Sequence, residues 1–207
     1  MYLDTQLQTY LDDLASAQST PGGGSTAALS GAMGAALACM VTRLTLGKEA
    51  YAAVQPQLEV LLAQAEQLRA RFQTLLQADI EAYGKLSASF KLPRTTSEAK
   101  AARTRAIQER LLEAALVPLE MVERAAELAQ CCLQVAQIGN TNVLSDIATG
   151  VTMASSAGTG AAWMVRVNLH SLKDQDQVSA LSARLNTALE TIDRSRQQVV
   201  ATVEARA

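Results

Sequence analysis

Asp79 occupies a position where the pattern around it calls for leucine. Leu58, Leu61, Ala65, Leu68, Phe72, Leu75, Asp79, Ala82 and Leu86 follow one another at spacings of three and four. That is the recurrence of one face of an α-helix, so a carboxylate is written into an apolar seam. A buried charge is costly unless a counter-ion pairs with it or proton chemistry uses it. Tyr83, four residues on, brings a second ionisable group to the same face. Two readings stand: a core ion pair with one of the 18 Lys and Arg residues, or a carboxylate of altered acidity in a functional cleft.

Three further clusters carry polar chemistry. Gly22, Gly23, Gly24 and Ser25 follow Pro21 directly before an apolar small-residue segment. Successive glycines let backbone N–H groups turn outward, and a helix N-terminus adds partial positive charge, which suits an anion or a close-packed ligand. No Gly-Lys-Ser/Thr follows, so this is not a nucleotide phosphate loop. Lys48 and Tyr51 are three apart, a cation beside an aromatic ring. Taken alone, a solvated lysine near a surface tyrosine explains them better than a binding pair. Asn140 and Asn142, then Ser145 and Asp146, crowd the entry of a second small-residue helix. Helix caps account for one or two of these groups. The others offer donors and acceptors that suit a heterocycle.

The elements that must position these groups read as helices throughout. A short helix is expected over Leu3 to Ala15, then a loop to Gly24. A small-residue helix follows from Thr26 to Leu46, with Ala27, Gly31, Gly34, Ala35 and Ala38 on one stripe. Amphipathic helices are expected from Pro56 to Leu86 and from Thr95 to Ile138. Thr95 and Glu98 have capping-box spacing, and Pro118 should kink or divide the second helix. Ile147 to Val167 repeats the small-residue pattern through Gly150, Ala154, Ala157, Gly158 and Ala161. Such stripes let backbones approach closely. Val178, Leu181, Leu185, Ala188 and Ile192 continue a three-four seam after Asp174. No strand pattern survives. The expected fold is all-α, one domain over residues 1–207, a bundle of five or six long antiparallel helices. Its apolar stripes exceed what one bundle covers, so a homodimer with a cleft shared between subunits is expected.

Composition narrows the partners. With 18 basic and 20 acidic residues among 207, the chain lacks the basic excess of a nucleic-acid binder. The two small-residue segments approach membrane-span length, but each holds an arginine, Arg43 or Arg166, and scattered Ser and Thr. Bundle helices therefore explain them better than a lipid hairpin. Cys39, Cys131 and Cys132 form neither a disulfide framework nor a metal clip, and His170 is the one histidine. A reducing, cytoplasmic setting without metal is expected, and the N-terminal residues show no secretory signal.

The segments PGGGSTAALSGAMGAALACMVTRLTLGKEAY, DIEAY, KLPR and GNTNVLSD occur in this order. Together they resemble the C-terminal cyclodeaminase domain of formiminotransferase-cyclodeaminase and its stand-alone relatives, the cyclodeaminase/methenyltetrahydrofolate cyclohydrolase family. The likeness spans nearly the whole chain, and four motifs in register are specific where PGGGS alone is not. The resemblance implies an all-helical dimer acting on folate one-carbon units at the carbon bridging N5 and N10. One reaction closes 5-formimidoyltetrahydrofolate to 5,10-methenyltetrahydrofolate with loss of ammonia. The other hydrates the methenyl compound to 10-formyltetrahydrofolate.

On this resemblance the family's catalytic aspartate falls on Asp79 and its motif tyrosine on Tyr83. Gly22, Gly23, Gly24, Ser25, Lys48, Tyr51, Pro93, Asn140, Asn142, Ser145 and Asp146 fall on positions that resemble the lining of the folate site. No cofactor beyond the tetrahydrofolate substrate is implied. Glu49 and Met164 depart from the family pattern, which has Lys and Asn there. A folate-binding helical dimer without catalysis is the alternative they support.

Overall fold

The structure, a computed structural model, describes residues 2–206. Six α-helices carry it: α1 (Leu7–Leu14), α2 (Gly23–Arg43), α3 (Gln55–Ser89), α4 (Ser97–Ile138), α5 (Leu144–Ser171) and α6 (Gln175–Arg206). Short 3-10 turns stand at Tyr2–Asp4, Glu49–Val54 and Thr141–Val143, and no strand occurs among the described residues. The seam expected on α3 is core: Leu58, Leu61, Ala65, Leu68, Phe72, Leu75, Ala82 and Leu86 are all buried, with Asp79 half-buried among them.

The two small-residue stripes meet each other along part of their length and other helices along the rest. Helices α2 and α5 run antiparallel, with Ser30 Oγ donating to the Met153 carbonyl and the Gly34 backbone lying against that of Gly150. A Cβ at Gly34 would stand 2.8 Å from the Gly150 carbonyl oxygen, so glycine is required by the approach itself. Gly31 makes room for the Phe72 ring of α3, and Gly158 for Ile192 of α6. Helix α2 is long and apolar enough to cross a membrane, yet 61% of its most apolar window is buried inside the bundle.

Several boundaries differ from the sequence expectation. The first helix is shorter, with a 3-10 turn and a break before Leu7. Helix α2 begins at Gly23, not Thr26, so two of the three glycines form its first turn. Gly22 caps it, donating its N–H to Ser25 Oγ and accepting that hydroxyl in return. The cap of α4 is Thr96, whose hydroxyl accepts from the Ala99 N–H at 3.2 Å; Thr95 lies outside the helix.

Helix α4 also runs undivided through Pro118 for 42 residues. Proline has no N–H, which leaves the carbonyl four residues earlier, Ala114, without its helical donor. Asn168 of α5 supplies one, its Nδ2 lying 2.8 Å from the Ala114 oxygen. A side chain of the neighbouring helix thus completes the broken ladder.

The α2–α5 contact leads to a stability prediction. Gly34→Val should cost about 1–3 kcal/mol through overpacking against the Gly150 backbone, a fall in Tm of roughly 2–10 °C for a chain of this size. Thermal melts followed by circular dichroism check it, and an unchanged Tm would show that the helices can move apart freely.

Candidate functional site

Asp79 faces the first turn of α2. A Cβ at Gly24 would collide with its carboxylate, and the Ser25 backbone N–H donates to it. The helix therefore meets the carboxylate with an unpaired N-terminal N–H and its partial positive charge. No Lys or Arg among the described residues forms an ion pair with Asp79, so the core ion-pair reading is set aside. Burial pushes the Asp79 carboxyl up to about 6, against the Ser25 hydrogen bond, which lowers it.

An open cleft of about 140 Å³ lies over this carboxylate, a concave, largely apolar site with a few polar groups of the kind that binds small molecules. Gly22, Gly23 and Gly24 form one wall, with Ser19 and Thr20 before them. Asp79, Ala82, Tyr83 and Leu86 of α3 form the second, and Ala114, Met164 and Asn168 close it from α4 and α5. The Tyr83 ring stands at the mouth, 44% exposed.

Lys48, Tyr51, Asn140, Asn142, Ser145 and Asp146 gather elsewhere, around the far end of α2. Asn140 is buried and tied down: its N–H donates to Thr45 Oγ1, its Nδ2 to the Leu44 carbonyl, and its Oδ1 accepts from the Asn142 N–H. The Tyr51 hydroxyl accepts from the Thr141 N–H at 3.2 Å. That bond holds the phenol below its usual acidity range, with Arg206 and Lys48 adding smaller pulls in the same direction. Lys48, Asn142 and Ser145 are exposed beside this turn, and Asp146 is half-buried.

The anticipated residues therefore form two groups. With 21 residues in α2 at a rise of about 1.5 Å each, the groups are about 30 Å apart in one chain. Three of the anticipated residues do not line this cleft. Ser25 is completely buried, its hydroxyl held by Gly22 and by the Tyr10 hydroxyl, so it meets Asp79 through its backbone alone. The Asn140 side chain ties its own turn to the Leu44 carbonyl at the far end of α2. Pro93 is exposed on the α3–α4 loop, away from the cleft lining.

Other residues at these places carried no local signal. Tyr10 braces the α2 entry, bonding both Ser25 and Thr26 hydroxyls at 3.2 Å. Asn168 and Ala114 face the cleft from distant segments. Arg206, at the end of α6, donates to the carbonyls of Ala136 and Gly139 that close α4 just before the Asn140 turn, a cation at a helix C-terminus. No group of three or more His, Cys, Asp or Glu side chains is arranged to hold a metal ion among the described residues.

Comparison with known proteins places this architecture. Residues 6–187 match the family described as formiminotransferase-cyclodeaminase. The chain belongs to that family. It is 42% identical over 169 residues to a methenyltetrahydrofolate cyclohydrolase of Methylorubrum extorquens, covering 82% of this chain and 81% of that one. It is 30% identical over 204 residues to the formimidoyltransferase-cyclodeaminase of Rattus norvegicus, covering 99% of this chain but 38% of the longer rat protein. The crystal structure of a formiminotetrahydrofolate cyclodeaminase from Thermotoga maritima superposes with a TM-score of 0.90 at 26% identity, covering 99% of this chain and 98% of the other.

Within this family member, Asp79 imposes a pH-dependent cost on folding. The carboxyl moves from 3.8 unfolded to about 6 folded, so the folded state holds its proton more tightly. The resulting stability is complete below the unfolded value and lost as pH rises through about 6, a change of about 3 kcal/mol. Asp79→Asn should therefore melt several degrees above the parent protein at pH 8, with the gap closing by about pH 4. Parallel melting curves across that range would expose a solvated carboxylate.

Proposed function

We propose that the chain is a folate one-carbon enzyme acting at the carbon between N5 and N10, with methenyltetrahydrofolate cyclohydrolase its main activity. The observation that carries this is Asp79: a carboxyl without a cation among the described residues, desolvated at the wall of a small open cleft, with a titration point about one unit below neutrality. Such a group is mostly ionised at pH 7 yet basic enough to accept a proton. In hydration of the methenyl cation, water adds to the bridging carbon and Asp79 takes the proton. The carbon becomes tetrahedral and carries a hydroxyl; as its bond to N5 breaks, Asp79 returns its proton to N5, and the hydroxyl loses its own proton to solvent as the C=O bond forms, leaving the formyl group on N10 with one proton released overall. The carboxylate also stabilises the substrate's positive charge before attack. No cofactor beyond the folate enters this scheme.

The Methylorubrum likeness favours the cyclohydrolase, being higher in identity than the rat match. The Thermotoga superposition favours the cyclodeaminase as second reading. There N10 attacks the formimino carbon, Asp79 accepts the N10 proton, and ammonia departs with a proton returned to it. The three free, buried cysteines accord with a reducing, cytoplasmic setting.

A homodimer reconciles the two groups of residues. From Gly23 to Thr42 and from Ile147 to Val165 there is no charged side chain, yet Met33, Met40, Leu44 and Trp163 on these helices are exposed. Ion pairs of the described residues link α3, α4 and α6, with Arg43 at the end of α2 joining Glu66; none involves α5. An exposed face without charge is what an isologous interface buries. A two-fold axis through its middle carries the Gly24–Asp79 end of one protomer toward the Lys48–Asn142 end of its partner. One folate then spans both ends, with the pterin at Asp79 and the anionic glutamate near Lys48.

Asp79→Asn should abolish turnover while leaving folate-induced thermal shift in place. Absorbance of the methenyl chromophore distinguishes the reactions, falling for hydration and rising from the formimino compound. Retained turnover would remove Asp79 from the mechanism, and binding by the parent protein without turnover would leave a folate-binding dimer. Mixing inactive Asp79→Asn with inactive Lys48→Ala/Tyr51→Phe protomers should recover roughly a quarter of parental activity, since each random heterodimer rebuilds one intact site. No recovery on mixing would confine the site to one chain.

A further inference from the structure

Asn168 meets Ala114, one turn before Pro118, at the wall of the cleft. The amide of Asn168 has two N–H hydrogens and one oxygen. One hydrogen goes to the Ala114 carbonyl that Pro118 leaves open, at 2.8 Å, and the other to the Met164 carbonyl one turn back, at 2.9 Å. With both hydrogens committed to fixed backbone atoms, the amide cannot flip without stranding two carbonyls. Its Oδ1 is bonded to no donor of the described residues and is not among their buried orphan atoms. That oxygen is left to the cleft, whose lining includes Asn168, Ala114, Met164 and Asp79.

Repair of the helix alone does not account for this pairing. An alanine at 118 would need no repair, because its own N–H would reach Ala114. The described helices have no other proline beyond their first turn, and this one stands opposite an asparagine beside the carboxylate. The consequence of the pair is orientation: an amide that could present either end is held with its acceptor outward.

We propose that Asn168 is a substrate-binding residue of the cleft and Pro118 its positioning residue. The carbonyl left open by Pro118 turns the amide so that Oδ1 accepts a hydrogen from the reacting end of the reduced folate, from a ring N–H or the attacking water. The inference rests on the folate reading above and names the group that works beside Asp79. Ionised Asp79 is also an acceptor only. A water giving one hydrogen to each has its lone pair free for the bridging carbon.

The test compares Pro118→Ala, Asn168→Ala, the double variant and Asp79→Asn, using whichever of the two folates the parent protein turns over. Pro118→Ala restores an N–H to Ala114 in competition with Asn168, so its Tm should equal or exceed the parental value, while kcat/KM falls about tenfold, chiefly through KM. Asn168→Ala should fall at least as far. The double variant, in which the helix is whole without the amide, should melt like Pro118→Ala and be no less active than Asn168→Ala. Non-additivity of this kind marks two residues acting through one contact. Parental kcat/KM in Pro118→Ala, or single losses that multiply in the double variant, would overturn the proposal. Should Asp79→Asn be inactive while Pro118→Ala is normal, only the role of Asn168 fails; should Asp79→Asn turn over normally, the folate mechanism itself fails.

Discussion

A carboxylate held out of water against the first turn of a helix is the constraint around which this protein is arranged. Asp79 keeps its place without a counter-ion because α2 begins in glycine. The missing Cβ at Gly24 admits the carboxylate, and the Ser25 N–H reaches it. A side chain at Gly24 would push the group away, and a cation beside it would hold it ionised and weakly basic. Burial opposed by a single backbone donor leaves it able to exchange a proton near neutral pH.

The close approach of α2 to α5 extends the same logic. Small residues on both helices bring the backbones together, which spends the stripes on an interior contact and turns the remaining charge-free faces outward. Those faces separate the Asp79 cleft from the Asn140 turn by the length of α2. Tertiary packing thereby leaves the polar groups at opposite ends of one long helix, and the proposed dimer would bring those ends together.

Local pattern was a good guide wherever one helix face decided the outcome. The apolar seam of α3 and its single carboxylate are both visible in spacing, because burial on a helix repeats at 3.6 residues. Polar residues were harder to read. Ser25 and Asn140 have side chains suited to ligands, yet each bonds within its own turn and to a distant segment, Ser25 to Tyr10 and Asn140 to Leu44. Capping uses the same residue types as recognition, so sequence cannot separate the two. Pro118 pointed to a kink or a division; the helix is not divided, and the missing donor is supplied from 50 residues further along the chain.

The amino-acid sequence by itself determined the helical class, the core faces and the unusual carboxylate, all of which depend on near-neighbour periodicity and composition. It also held the family motifs. The tertiary structure alone decided which motifs share a cleft, that Asp79 has no counter-ion among the described residues, and that Asn168 completes a helix to which it does not belong. These are contacts between segments far apart in the chain, and their chemistry depends on distance and desolvation, which no spacing along the chain encodes.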